Sequence, residues 1–513
     1  MTDRATNDGP IIMRDDAPTR LIASEPDPEK SQRPASRFMS EKECLALARR
    51  AANMAVGGGD TSTQLESTWT GNIRFARNAI TTSGDVRDND VMLKRDIHGA
   101  FALIQSNQID DVGMEATIRR AERVLRMREE GAGSQFSEHY VMPPKEVKTY
   151  DDVLSYELRQ AAAAAERSLT QTAEPYLKPK IFFDTTYGLD AAARAAAIEP
   201  LVAPTRAAGM LAAGYVQVSA HGRAVMDTWG RALYYPYTQA QYSVTVRDPK
   251  GSGSGWAGVD YADWTRIDTA KISATALDKC QRSRNPVAVE PGRYTVILEP
   301  QAVCDLFSYV MTELDRGIAE DGHGPFAGED KTSKIGQRVF DERITVSADP
   351  MDPDLGFPPF DRLGNVYHPV TWIEQGVLKD LSYYRPYAIR NLGKNSGLPN
   401  SGACRMSGGT TSIEEMIATT KRGLVVTRFS NMAVVDPNSL LMTGYTRDGL
   451  WLIENGKITK PVKNFRFTES PMFVFNNVEQ LGVPTRAFHP GAPFVVPPVK
   501  ARDFSFTSLI EAI

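Results

Sequence analysis

Leu45, Ala48, Ala52 and Ala55 recur at helical spacing and give the chain its first apolar stripe. Just upstream, Ser40 and Glu43 stand in the Ser-x-x-Glu order of a capping box, in which the hydroxyl caps a backbone amide and the carboxylate reaches back. Gly57-Gly58-Gly59 ends that helix. The pattern turns strand-like at 65–69, 72–75, 91–95 and 100–105, and Met114, Ile118, Ala121 and Leu125 then restore a helical face. These elements predict an N-terminal α/β domain over 38–140. It follows a polar tail, 1–37, whose Asp, Pro, Ser, Arg and Thr content marks it as disordered.

A loop containing Met142-Pro143-Pro144 separates that domain from a middle α/β domain over 145–285. An alanine-rich helix is expected at 151–173, a strand at 180–184, and helices at 191–198 and 207–211. Strands follow at 215–220, 224–229 and 242–247, then a flexible Gly251-Ser-Gly-Ser-Gly255 loop and a helix at 265–280. Asn285-Pro286 to Pro291-Gly292 reads as a linker. The last domain, 290–513, is richer in strands, with 294–298, 339–347, 366–372 and 424–429 extended. Helices are expected at 302–314 and after a second capping box, Ser412-x-x-Glu415. Glu374-Gln-Gly376 and Glu454-Asn-Gly-Lys457 read as hairpin turns; Asn-Gly is the strongest such signal because both positions tolerate positive φ. The fold class is therefore α+β, an N-terminal α/β region followed by a β-rich, barrel-like C-terminal domain.

Composition narrows the function classes. The 513 residues include 59 Lys plus Arg and 63 Asp plus Glu, a net charge of −4. That leaves no excess of positive charge for nucleic-acid phosphates. No apolar run of about 18 residues predicts a membrane span. The polar start lacks the apolar stretch of a secretory signal, so a cytoplasmic location is expected. The six histidines (98, 139, 221, 323, 368 and 489) and four cysteines (44, 280, 304 and 404) are scattered, so no local zinc clamp or knuckle is formed. Four dispersed thiols fit a reducing compartment.

Individual motifs read mostly as structure. Gly251-Ser-Gly-Ser-Gly255 lacks the Lys-Ser/Thr ending of a phosphate loop and the centre of a nucleophile elbow. Asp184-Thr185-Thr186 has no second copy to complete an aspartic dyad. Cys304 sits in an apolar helical pattern and Cys280 at a helix end, both reading as inert packed thiols. His489, in Phe488-His-Pro-Gly-Ala-Pro493, reads first as an exposed loop histidine, with a site residue as the alternative. Trp256, Trp264 and Tyr234-Tyr235-Pro-Tyr237 make an aromatic section that serves either as core or as an extended-peptide groove. Residue chemistry alone stops at a large multidomain protein with no local catalytic motif.

Longer segments carry a resemblance. They include Arg74-Phe-Ala-Arg-Asn78-Ala-Ile80, Gly99-Ala-Phe-Ala-Leu103 and Gly253-Ser-Gly-Trp256-Ala257. Pro291 to Pro300, Ser333-x-Ile-Gly336 and Ile344 to Pro350 continue the series, with Gly376-Val-Leu378 leading to Tyr384 and Ala388. Ser412 to Phe429, Ile453 to Ile458, Pro461 to Asn464, and Val496 to Ser508 complete it. In this order they resemble the TldD/PmbA family over roughly 40–510. The resemblance implies a heterodimeric cytoplasmic metalloprotease acting on unfolded peptides and peptide precursors. One subunit, TldD-like, carries His-Glu-x-x-x-His and a later Cys as zinc ligands; the other, PmbA- or TldE-like, shares the fold without them. The corresponding window here is Ser308-Tyr-Val-Met-Thr-Glu313, with no His, and Tyr309 in place of the Glu; no Cys follows Thr446. The resemblance thus implies the non-zinc subunit: no catalytic or metal residues in this chain, zinc in a TldD-like partner, and an unfolded peptide bound in a shared cavity. Ser308, Tyr309 and Glu313 mark the degenerate window; Trp256 and His489 are the candidate peptide-cavity residues. Two other readings stay open at this level: a peptide-binding scaffold or homodimer without protease activity, and a stand-alone hydrolase using Cys304 or His489.

Overall fold

A computed structural model of the chain describes residues 37–55, 59–97, 100–129, 175–228, 230–394 and 396–510. The tail before Arg37, the Met142-Pro143-Pro144 loop and the alanine-rich 151–173 stretch lie outside the described residues. α1 (Glu41–Met54) begins at its capping box: Ser40 Oγ accepts from the Glu43 amide and Glu43 accepts from the Ser40 amide at 2.8 Å. β1 (Asp60–Ala76), β2 (Ala79–Ile97) and β3 (Ala100–Ser106) follow, then α2 (Asp111–Glu129). β4 (Leu211–Asp227), β5 (Ala232–Arg247) and β6 (Ser254–Tyr261) complete a six-stranded antiparallel sheet of order β3-β2-β1-β4-β5-β6.

The sheet joins what the sequence divided. β1 pairs β4 from Ser62↔Asp227 to Phe75↔Gly214, so strands of the expected N-terminal and middle domains form one layer. The paired short strands expected at 65–75 and 215–229 are each one long strand, because burial keeps alternating through their polar middles. On one face α1 and α2 pack against Leu65, Leu93 and Ala224, while the Thr269–Arg282 helix and the 191–207 helices pack against Ile73, Val218 and Val244. The opposite face at Val225 and Leu233 is covered by Phe360 and Val366.

Three local expectations change. The segment at 180–183 runs extended with one backbone bond to the sheet, Thr238 N–H to the Ile181 carbonyl, and turns into the Asp184–Tyr187 helix. Helix Glu199–Ala207 stops before Gly209 (φ +66), and Leu211 opens β4, so no helix covers 208–211. The glycines at 253 and 255 serve close approach rather than flexibility. A Cβ on Gly255 would collide with the Ala276 carbonyl and the Cys280 amide of the helix beneath.

The C-terminal part adds β7 (Gly292–Leu298), the Pro300–Thr312 helix, β8 (Val346–Ala348), β9 (Val370–Glu374), β10 (Val377–Leu378) and β11 (Cys404–Met406). β12 (Arg422–Asp436), β13 (Leu441–Glu454), β14 (Lys457–Pro461), β15 (Phe465–Glu469) and β16 (Val478–Leu481) follow. The chain ends in β17 (Thr485–Ala487), β18 (Phe494–Val496) and β19 (Val499–Leu509). β7, β19, β15, β13 and β12 close into a barrel, with β12 pairing β7 in parallel and β13 antiparallel. Its core holds Val296, Leu424, Leu452, Phe465 and Phe506. A second sheet has the order β10-β9-β8-β11-β18-β17. The β13–β14 turn places Asn455 (φ +50) and Gly456 (φ +78) in the left-handed region, as the Asn-Gly signal requires. Of the expected 339–347 strand only 346–347, the start of β8, is a strand; Val339 and Phe340 bond the Gly376 carbonyl of the next turn instead. No described helix is long and apolar enough to cross a membrane.

Candidate functional site

The Pro300–Thr312 helix is the element on which the degenerate zinc window falls. Pro300 stands at its first turn, where a missing N–H costs nothing. Ala302, Val303, Cys304, Leu306, Phe307, Val310 and Met311 are buried, which turns Asp305, Ser308, Tyr309 and Thr312 onto the less buried stripe. Ser308, Tyr309 and Thr312 line a cavity of about 600 Å³ together with Ser401, His489 and Phe494. Two candidates from the window and one from a distant loop therefore share one site.

The helix itself holds the histidine loop in place. Gln301 accepts from the Phe488 amide (3.0 Å) and donates to the Phe488 carbonyl (3.2 Å) and to Asp305 (2.8 Å). The His489 amide donates to Asp260 at 2.9 Å, and its Nδ1 donates to the Ala492 carbonyl at 3.0 Å. In the neutral ring this leaves Nε2 as the unprotonated nitrogen. The imidazole tilts against Phe494 with centroids 4.8 Å apart.

The hydroxyls of the wall are tied to backbone carbonyls. Ser308 donates to Asp305 (3.0 Å), Tyr309 to Met432 of β12 (3.2 Å) and Thr312 to Tyr309 (2.7 Å). Glu313 caps the helix C-terminus and Trp256 lies behind the loop, so neither lines the cavity. Burial pushes the Glu313 carboxyl up. Trp256 meets Phe488 edge-on at 5.8 Å and carries the Arg428 guanidinium over its ring at 4.5 Å, so it supports the loop.

Two features escaped sequence reasoning. Asn400 donates to the Met311 carbonyl (2.7 Å) and accepts from Gly402 N–H (2.8 Å), fixing the Ser401 wall; Asn-Ser-Gly was a turn signal that could have been noted. Asp305 interrupts an apolar helix, which was the visible clue to its role. Burial pushes its carboxyl up to about 6 against the pull of Arg428, the Phe429 amide and Gln301. Cys304 is wholly buried away from the wall, and burial lifts its thiol well above the usual range, so it is no nucleophile at neutral pH.

Zinc needs about three protein ligands. The cavity offers one imidazole with Nδ1 already committed, and among the described residues no three His, Cys, Asp or Glu side chains gather to hold a metal. The wall does not fit zinc.

Residues 291–508 match the family model described as PmbA/TldA metallopeptidase C-terminal domain. No curated protein sequence matches the chain. Among solved structures, TldE from Thermococcus kodakarensis is 16% identical with a TM-score of 0.68, covering 91% of this chain and 100% of that one. A Thermotoga maritima protein described as a candidate modulator of a DNA gyrase is 14% identical, TM-score 0.69, over 91% and 99% of the two chains. One from Bacteroides thetaiotaomicron, described in the same words, is 16% identical, TM-score 0.70, over 90% and 99%. At such identity the likeness is one of fold. With the domain match it bears out the resemblance read from the sequence, including the β-rich, barrel-bearing C-terminal region.

Proposed function

We propose, for a chain that belongs to the TldD/PmbA family, that it is the non-zinc, TldE-like subunit of a two-subunit cytoplasmic peptidase. The observation that carries this reading is the wall of the cavity: at the position of the zinc motif it turns Ser308 and Tyr309 inward, with His489 as its one imidazole. A TldD-like partner supplies zinc, the polarised water and the general-base Glu. This chain supplies part of an enclosed space for an unfolded peptide. Among the described residues, 79–90 of β2 pair with β1 alone, since β3 pairs β2 only from Val91 onward, and we take that edge as one to which an extended peptide can add. Backbone pairing of this kind reads chain rather than sequence, which suits peptides of mixed composition.

Tagged, full-length chain, expressed with a homologue bearing His-Glu-x-x-x-His, is expected to recover that homologue. Zinc should be found with the homologue, and unfolded peptide should be cut only by the pair. Stoichiometric zinc in the purified chain together with peptide cleavage by it alone overturns the reading. Persistent failure to recover such a homologue favours a scaffold or homodimer.

A further inference from the structure

We infer that the cavity beside Ser308 and Tyr309 is a pocket for a neutral, apolar side chain of an extended peptide. This rests on the peptide-handling reading above and deepens it by naming the class of residue taken. At about 600 Å³ the space falls in the range of ligand pockets and accommodates one large side chain with its flanking backbone.

The chemistry of the wall selects the occupant. Tyr309, His489 and Phe494 present rings, and Met311 a thioether. His489 apart, no lining side chain carries a charge near neutral pH. The hydroxyl hydrogens of Ser308, Tyr309 and Thr312 are already given to backbone carbonyls. Ser401 accepts from the Ala403 amide and keeps a single neutral donor. An ammonium entering here finds no carboxylate on the wall, and the one lining group that can answer a carboxylate with charge is His489; a charge that loses water without a partner is costly. Phe, Leu or Met instead meets ring faces and a polarisable sulfur. With Nδ1 held by the Ala492 carbonyl, Nε2 is the His489 nitrogen left to face a peptide.

The test uses fluorescein-labelled, unstructured Gly/Ser peptides with one guest residue, Phe, Leu, Asp or Lys. Binding is measured by anisotropy to the full chain, alone and in complex with its partner. Apolar guests are expected to bind at least about tenfold more tightly than Asp or Lys, as burial of one apolar side chain implies. Thr312→Trp fills the cavity from an exposed helix position and should weaken the Phe guest by about tenfold while leaving Asp and Lys unchanged. Thermal melts check folding, and Ser308→Phe serves as the second filling variant. Equal binding of charged and apolar guests, no binding to either form, or an intact preference in both filled variants overturns the inference. None of these outcomes touches recovery of a zinc-bearing partner, which is judged separately.

Discussion

Arg486 of β17 places Nη2 2.5 Å from Oδ2 of Asp260 at the end of β6, with the two side chains 5% and 14% exposed. The same guanidinium donates to the carbonyls of Asp354 (2.8 Å) and Leu355 (3.0 Å), and the same carboxylate accepts the His489 amide. One ion pair thus links the edge of the N-terminal sheet, the 354–355 segment and the loop that brings His489 to the cavity.

Arg486→Met is expected to destabilise the chain by about 3–5 kcal/mol, because it leaves Asp260 buried without its counter-charge. Asp260→Asn keeps an acceptor for the His489 amide and should cost less. Urea unfolding of both variants checks the order. A smaller loss for Arg486→Met than for Asp260→Asn contradicts it.

Glu66 on β1 faces Arg223 (2.7 Å) and His221 (3.3 Å) on β4 and accepts from Tyr237 on β5. Burial pushes the carboxyl up, but His221 and Arg223 pull it down to about 2, below its ordinary 4.5. A folded-state value below the unfolded one means stability present above about pH 4.5 and lost as pH falls toward 2. This group should account for a loss on the order of 3 kcal/mol over that window. In Glu66→Gln the loss should vanish, so the gap between wild type and variant narrows on acidification. Urea titrations at pH 6, 4 and 3 measure it; a gap independent of pH removes Glu66 as the cause.

Asp305 acts with the opposite sign. Its folded-state value, about 6 against an ordinary 3.8, makes the protonated form favoured in the native state. Stability is therefore present below about pH 4 and declines as pH rises through 6, by about 3 kcal/mol at most. Asp305→Asn should flatten that decline. Unfolding midpoints at pH 4.5, 5.5 and 7 give the slope, and identical slopes for the two proteins sink the assignment.

These two carboxylates show where sequence reading stops. The capping boxes at Ser40 and Ser412 and the Asn455-Gly456 turn were legible because each is decided within a few residues. The separation of Glu66 from Arg223, or of Gln301 from Phe488 187 residues away, is closed only by strand pairing and helix packing. Ser308 and Tyr309 were named from a missing motif and His489 from its loop chemistry. Their common cavity follows from Gln301 gripping the Phe488 backbone, which no local pattern encodes. The long strands were read as fragments because Thr70-Gly71 and His221-Gly222-Arg223 interrupt the apolar alternation, although the pairing of β1 with β4 runs on through both.

Thiol chemistry offers a sharper test of the hydrolase alternative. Cys44, Cys280, Cys304 and Cys404 are free and buried. Burial pushes Cys44 up to about 12 and Cys280 up to about 11. All four should resist a thiol reagent at pH 8 in the native chain and react in guanidinium, since the thiolate is the reactive form. Fast labelling of Cys304 under native conditions reopens a thiol mechanism.

Gly255 tests the close approach of β6 to the Thr269–Arg282 helix. A methyl group there meets the Ala276 carbonyl and the Cys280 amide, both backbone atoms that cannot swing aside as a flexible side chain can. The helix must lift or β6 must bend, and the lift propagates to Ala276 and Cys280, which are wholly buried against Val244 and Val246. Overpacking of this kind costs roughly 1–3 kcal/mol or more. Gly209→Ala is the internal comparison: it has φ +66 with open space around an added Cβ, so its cost is backbone strain of about 1 kcal/mol rather than collision. Gly255→Ala should therefore lower the urea midpoint further than Gly209→Ala. If Gly255→Ala unfolds at the wild-type midpoint, the glycines serve flexibility after all and the tight seam between β6 and the helix is absent in solution.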